Sequence, residues 1–207
     1  MLLTGKGRGI VASMHGFVLP DRRTVTSALL FLAGCAGGAL SAVRLAARGD
    51  SVLQSAVRIY LQAGGETALR ARFLQLLLPD LTLMGIVFFC GFCAVAAPIL
   101  LFLPFFKGLG FGMIVSFLYQ QSGISSMKGI ALTILPIALW SASLLILACR
   151  DAGLLSSGFR EASRRGGTVS TDRFCAMMLL YLLLLCAGCA LQAWSIVAFG
   201  GRLLPQL

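Results

Sequence analysis

The chain has 207 residues, 58% of them hydrophobic and only 12% charged, against about 25% charged in an ordinary soluble domain. Mean hydropathy is +0.94. These values exclude an independent water-soluble domain of any size. Net charge is +10, which in a soluble chain would suggest nucleic acid. Here the Lys and Arg residues fall between apolar runs, where they orient a membrane protein and meet anionic headgroups. The aromatic-plus-basic repeats of RNA readers are missing, so membrane lipids and not nucleic acid are the expected surroundings.

Five charge-free runs of at least 20 residues can be read off: 24–43, 81–106, 108–127, 129–149 and 174–201. About 20 apolar residues suffice to cross a bilayer core as a helix. Backbone groups in lipid must be bonded within the segment, so helices are expected. The runs do not alternate as barrel strands would. The fold class predicted is all-α, a polytopic helical membrane protein forming one integral membrane domain over 1–207. Its spans are predicted at 24–43, 81–98, 99–119, 129–149 and 175–199.

The chain begins with a polar-basic lead, 1–23, holding Lys6, Arg8, Arg22 and Arg23. The first span is rich in small residues (Gly34, Gly37, Gly38), which permit close helix approach in a membrane. Within it, Leu32-Ala33-Gly34-Cys35 matches the lipobox that precedes a lipidated cysteine. The apolar run continues to Val43, whereas lipoproteins turn polar after that cysteine, so the helix reading is preferred.

The connection 44–80 carries apolar residues at helical spacing: Val52, Ala56 and Tyr60, then Leu69, Phe73 and Leu77, with Gly64-Gly65 between. Two short amphipathic helices on the membrane surface are predicted. Pro79-Asp80 reads as the start of the second span, with Asp80 as its N-cap. That span is expected to end near Pro98.

Residues 81–119 contain one charge, Lys107. As one straight helix they would measure about 58 Å, too long for a core of about 30 Å, so the segment must cross and return. Lys107 is then near the start of the third span, and its side chain is expected to snorkel to the interface. A coupling or partner-contact role is the alternative, as for any ionisable residue at membrane depth. Gly108, Gly110 and Gly112 follow, and Gly108-x-x-x-Gly112 favours tight helix packing. Pro136 is expected to kink the fourth span, and 150–173 to form a basic loop with Arg150, Arg160, Arg164, Arg165 and Arg173.

No chemistry-bearing set emerges. His15 is the only histidine, and neither a Walker loop, an HExxH nor a Ser-His-Asp set is present. No carboxylate falls within a predicted span, as a proton relay would require. Cys90-x-x-Cys93 and Cys186-x-x-Cys189 imitate a zinc site. Zinc needs thiolates, which are costly in hydrocarbon, so apolar packing is the reading taken. No catalytic role, cofactor or metal is expected.

The stretch Phe105-Phe106-Lys107-Gly108-Leu109-Gly110-Phe111-Gly112 follows the proline-punctuated Ala97-Pro98-Ile99-Leu100-Leu101-Phe102. It resembles the stage II sporulation protein M family, in which an apolar segment leads into F-x-K-G and further glycines. Ile114-Val115-Ser116-Phe117-Leu118 continues the likeness, as does the pair Leu135-Pro136, so that it is best over about 75–150. The resemblance implies a septal membrane protein of endospore formation that takes part in engulfment. Its implied partners are a peptidoglycan amidase/endopeptidase and a lytic transglycosylase, which it would anchor without being an enzyme. Helix-packing or partner-contact residues would be Lys107, Gly108, Gly110, Gly112 and Pro136.

Orientation follows from the basic residues. A cytoplasmic N-terminus puts ten Lys and Arg inside and seven outside, the arrangement that the positive-inside rule favours. The rival function is a permease subunit of a multicomponent transporter, with 150–173 as the cytoplasmic coupling site.

Overall fold

A computed structural model describes residues 22–47, 69–93, 97–133, 135–165 and 171–203. They form five helices: α1 Arg22–Ala47, α2 Leu69–Phe92, α3 Ala97–Thr133, α4 Leu135–Arg165 and α5 Asp172–Leu203. No strand occurs among the described residues. Each helix holds a segment long and apolar enough to cross a membrane: Arg22–Leu45, Phe73–Phe92, Pro98–Phe117, Leu135–Ser163 and Asp172–Trp194. Large side chains such as Leu29, Phe89, Phe102, Leu183 and Trp194 point outward. In water such a surface would aggregate; facing acyl chains it carries no penalty. The five apolar helices fit a multi-pass membrane protein.

The helices start and stop elsewhere than the charge pattern suggests. α2 begins at Leu69, so Leu69, Phe73 and Leu77 open the second membrane helix instead of forming a separate surface one. Pro79 and Asp80 lie inside α2 and not at its start. A proline removes one intrahelical bond, a loss that membrane helices tolerate where neighbouring groups compensate. Val52, Ala56 and Tyr60 lie outside the described residues.

α3 has 37 residues, about 55 Å of helix. It runs through Pro104, which is buried, and on to Thr133, past the expected end of the third span. α4 therefore starts at Leu135, with Pro136 in its first turn. There the missing N–H has no intrahelical partner to lose, so Pro136 helps to begin α4 and does not kink it. At the other end, α4 continues to Arg165. Arg150, Arg160, Arg164 and Arg165 are thus helical and not part of a loop, Arg173 lies in the first turn of α5, and residues 166–170 lie outside the described residues.

The apolar core is built by α2, α4 and α5. Met84 and Val87 of α2 meet Leu144, Leu145, Ala148 and Ala152 of α4, and Met178, Tyr181, Leu185 and Cys189 of α5. α3 adds Leu100 and Leu103 from its first turns, and α1 adds nothing to this cluster. At one end Phe174 stacks on Phe88 at 5.9 Å and meets Phe92 edge-on at 5.9 Å. Phe159 of α4 lies 6.3 Å from Phe92 and completes the aromatic layer.

Candidate functional site

Residues 105–112 make two kinds of contact, one on each side of α3. Toward α1 it presents glycine. A β-carbon on Gly108 would overlap the carbonyl oxygen of Phe31, and one on Gly112 that of Cys35. The contact is reciprocal: a β-carbon on Gly34 would overlap the Phe105 carbonyl, and one on Gly38 the Leu109 carbonyl. Each helix thus offers two glycines four residues apart to the other's backbone. Lipid supplies no hydrophobic force between helices, so close backbone packing and weak Cα–H···O contacts do the holding.

The paired numbers rise together along both chains, from 31/108 to 35/112 and from 34/105 to 38/109. α1 and α3 are therefore parallel. Ser116 Oγ donates to the Ala39 carbonyl at 3.3 Å and carries the register one turn further. Among the described residues this is the most extensive helix pair. Cys35 sits within this interface, in the middle of α1. Gly110, between the two locking glycines, points away, with nothing within 4 Å of where its β-carbon would be. Sequence reading identified Gly108 and Gly112 but not their partners. The i, i+4 spacing of Gly34 and Gly38 was the available signal.

Away from α1, α3 presents Lys107. Its Nζ forms an ion pair with Asp80 Oδ1 of α2, and the side chains are only 20% and 12% exposed. Lys107 is the tenth residue of the apolar segment Pro98–Phe117, and Asp80 the eighth of Phe73–Phe92. The amine therefore turns into the bundle toward a carboxylate and does not snorkel outward. A small recess beside the pair is lined by Leu83, Met84, Ser141, Leu145 and Leu185. Removing one partner of such a pair costs about 3–5 kcal/mol, because an unpaired buried charge remains.

A second carboxylate also lies within an apolar helix. Asp151 of α4 accepts a hydrogen bond from Tyr181 Oη of α5 at 2.7 Å. Arg150 Nε stands 3.8 Å from its other oxygen. Asp80 and Asp151 together overturn the expectation that no carboxylate sits within a span. Both fall outside spans read as charge-free runs, because such a run ends at any charge.

Pro136 lies at the head of α4, is exposed, and supplies none of the atoms nearest the four glycines. The cysteine pairs do not converge on a metal site: among the described residues no group of three or more His, Cys, Asp or Glu could hold a metal ion. Cys149 and Cys189 are buried, while Cys93 is exposed. Two further polar side chains of α4 bond main-chain carbonyls outside their own helix. Trp140 Nε1 donates to the Leu184 carbonyl at 3.3 Å over Gly188, and Ser156 Oγ to the Cys93 carbonyl at 2.8 Å. The site as a whole is one of helix cohesion: backbone-deep packing on one side of α3 and an ion pair on the other. Comparison with protein-family models, with curated proteins and with solved structures found no match to this chain.

Proposed function

We propose that this chain is a non-enzymatic membrane scaffold. In this reading it anchors a peptidoglycan amidase/endopeptidase and a lytic transglycosylase at the sporulation septum during forespore engulfment. One observation supports it most. The residues that carry the resemblance to the stage II sporulation protein M family, Lys107, Gly108 and Gly112, join α3 to its neighbours, the lysine to α2 and the glycines to α1. A motif that serves helix cohesion suits a protein whose work is to hold others in place.

The N-terminus is placed in the cytoplasm. This part of the reading rests on the basic-residue count along the sequence, ten Lys and Arg inside against seven outside. The outward connection between α1 and α2 would carry the partner contacts; residues 48–68 lie outside the described residues. The test is purification in mild detergent from sporulating cells. Murein hydrolases should come with the chain, and their absence from every preparation would remove the reading.

A permease subunit is the second reading, and one observation favours it. Asp80 and Lys107 form a charged pair with a recess beside it, well inside the apolar segments, where transport proteins keep functional ionisable groups. Recovery of a nucleotide-binding subunit in the same purification would select it.

A further inference from the structure

We propose that the start of α1 and the flank of α4 form a binding site for a phosphate anion, carried by a membrane lipid or free in solution, and that Arg23 and Arg150 hold it. Three observations point there. First, Arg23 leans on α4: its Nη1 lies 3.5 Å from where a β-carbon on Gly153 would be. Because Gly153 has no side chain, the guanidinium can lie close against the α4 backbone. Arg150 stands three residues before Gly153, a neighbouring position on the same side of the helix, and its side chain is only 20% exposed.

Second, the charges there do not cancel. The first turn of α1 and the turns of α4 on either side of Gly153 hold Arg22, Arg23 and Arg150 against one carboxylate, Asp151. Asp151 divides its oxygens between Tyr181 Oη at 2.7 Å and Arg150 Nε at 3.8 Å. Among the described residues Arg22 and Arg23 form no ion pair. Third, the site lies at the membrane boundary. A β-carbon on Gly91 would meet both Phe174 and Ala152, the residue before Gly153. Gly153 is therefore level with the first residues of α1 and α5 and the last of α2, where the apolar core gives way to headgroups. At that edge a charge contact is worth more than in water. Arginine's planar fork fits phosphate oxygens in pairs, and basic pockets between membrane helices hold anionic headgroups. Arg23 and Arg150 bring two such forks from two helices.

Native mass spectrometry of the full chain in detergent, titrated with phosphatidylglycerol or with phosphatidylcholine, tests this directly. The unaltered chain should hold phosphatidylglycerol about tenfold more tightly, the worth of a charge-assisted hydrogen bond. Arg23→Gln should remove that preference. So should Arg150→Gln/Asp151→Asn, which takes away one guanidinium, keeps the net charge and leaves no lone carboxylate. Arg173→Gln, at the same end but on α5, should leave the preference intact. In a second arm inorganic phosphate replaces the lipid. A rise in melting temperature in the unaltered chain and not in Arg23→Gln, without any lipid preference, would identify free phosphate as the source of the anion. Equal retention of the two lipids together with no response to phosphate overturns the proposal. So does a preference that survives Arg150→Gln/Asp151→Asn. A loss in Arg173→Gln as large as in Arg23→Gln overturns it too, because the basic end would then attract anions as a whole.

Discussion

Gly112 rests directly against the carbonyl oxygen of Cys35, with no room for a β-carbon between α3 and α1. Gly108 repeats the contact on Phe31 one turn earlier, and Gly34 and Gly38 return it from the other side. The obstacle in each case is backbone, which cannot step aside as a side chain can. Alanine at any of the four should therefore destabilise by about 3 kcal/mol, the upper part of the range for overpacking, and leucine by more. Gly110→Ala and Gly37→Ala, whose β-carbons would meet nothing within 4 Å, should leave stability unchanged. Thermal aggregation in detergent and membrane abundance give the ranking; equal loss at Gly110 and Gly112 would contradict it.

How far this arrangement was legible depends on range. Helical class and the number of spans follow from runs of apolar residues, a local property, and both hold. The packing role of Gly108 and Gly112 was visible in their spacing, whereas the choice of α1 as partner lies in three-dimensional contacts that spacing does not encode. Asp80 was misplaced because a charge after a proline resembles a helix start. Its real setting depends on Lys107, 27 residues away, and no window of sequence weighs a charge by a distant counter-charge. Pro136 misled for a related reason: α3 ran on to Thr133, which moved the proline from mid-helix to first turn.

The ion pair yields a second prediction. Asp80→Asn leaves the Lys107 ammonium buried and alone and should cost about 3–5 kcal/mol. Asp80→Leu/Lys107→Met replaces both charges with apolar groups of similar bulk and should be neutral or stabilising. A double-mutant cycle on unfolding in detergent measures the coupling. Additive losses at the two positions would show that the groups act independently.

Gly91 offers a graded comparison with the glycine lock. A β-carbon there would come 2.7 Å from Phe174 Cζ, the tip of a packed ring and not a backbone atom. Gly91→Ala should therefore cost about 1–2 kcal/mol, less than alanine at Gly38. Shortening the opposing ring with Phe174→Leu should recover part of that loss in the double variant. The check is thermal stability of the two singles and the double; worsening in the double would mean that the contact is not the cause.

Sidedness can be read with a membrane-impermeant thiol reagent. A cytoplasmic N-terminus places the C-terminal end of α4 inside and the connection between α1 and α2 outside. Cysteine introduced at Ser55 should gain label in intact cells, and cysteine introduced at Ser163 should gain none until the membrane is opened. The reverse pattern would invert the topology and, with it, the surface that the proposed scaffold would offer to its partners.

The scaffold reading is tested most directly by following the hydrolases themselves. Fluorescently tagged amidase/endopeptidase and lytic transglycosylase are imaged in sporulating cells from which this chain has been removed. Both should leave the septum and spread along the membrane, and return when the chain is resupplied. Undisturbed septal foci in its absence would contradict the account.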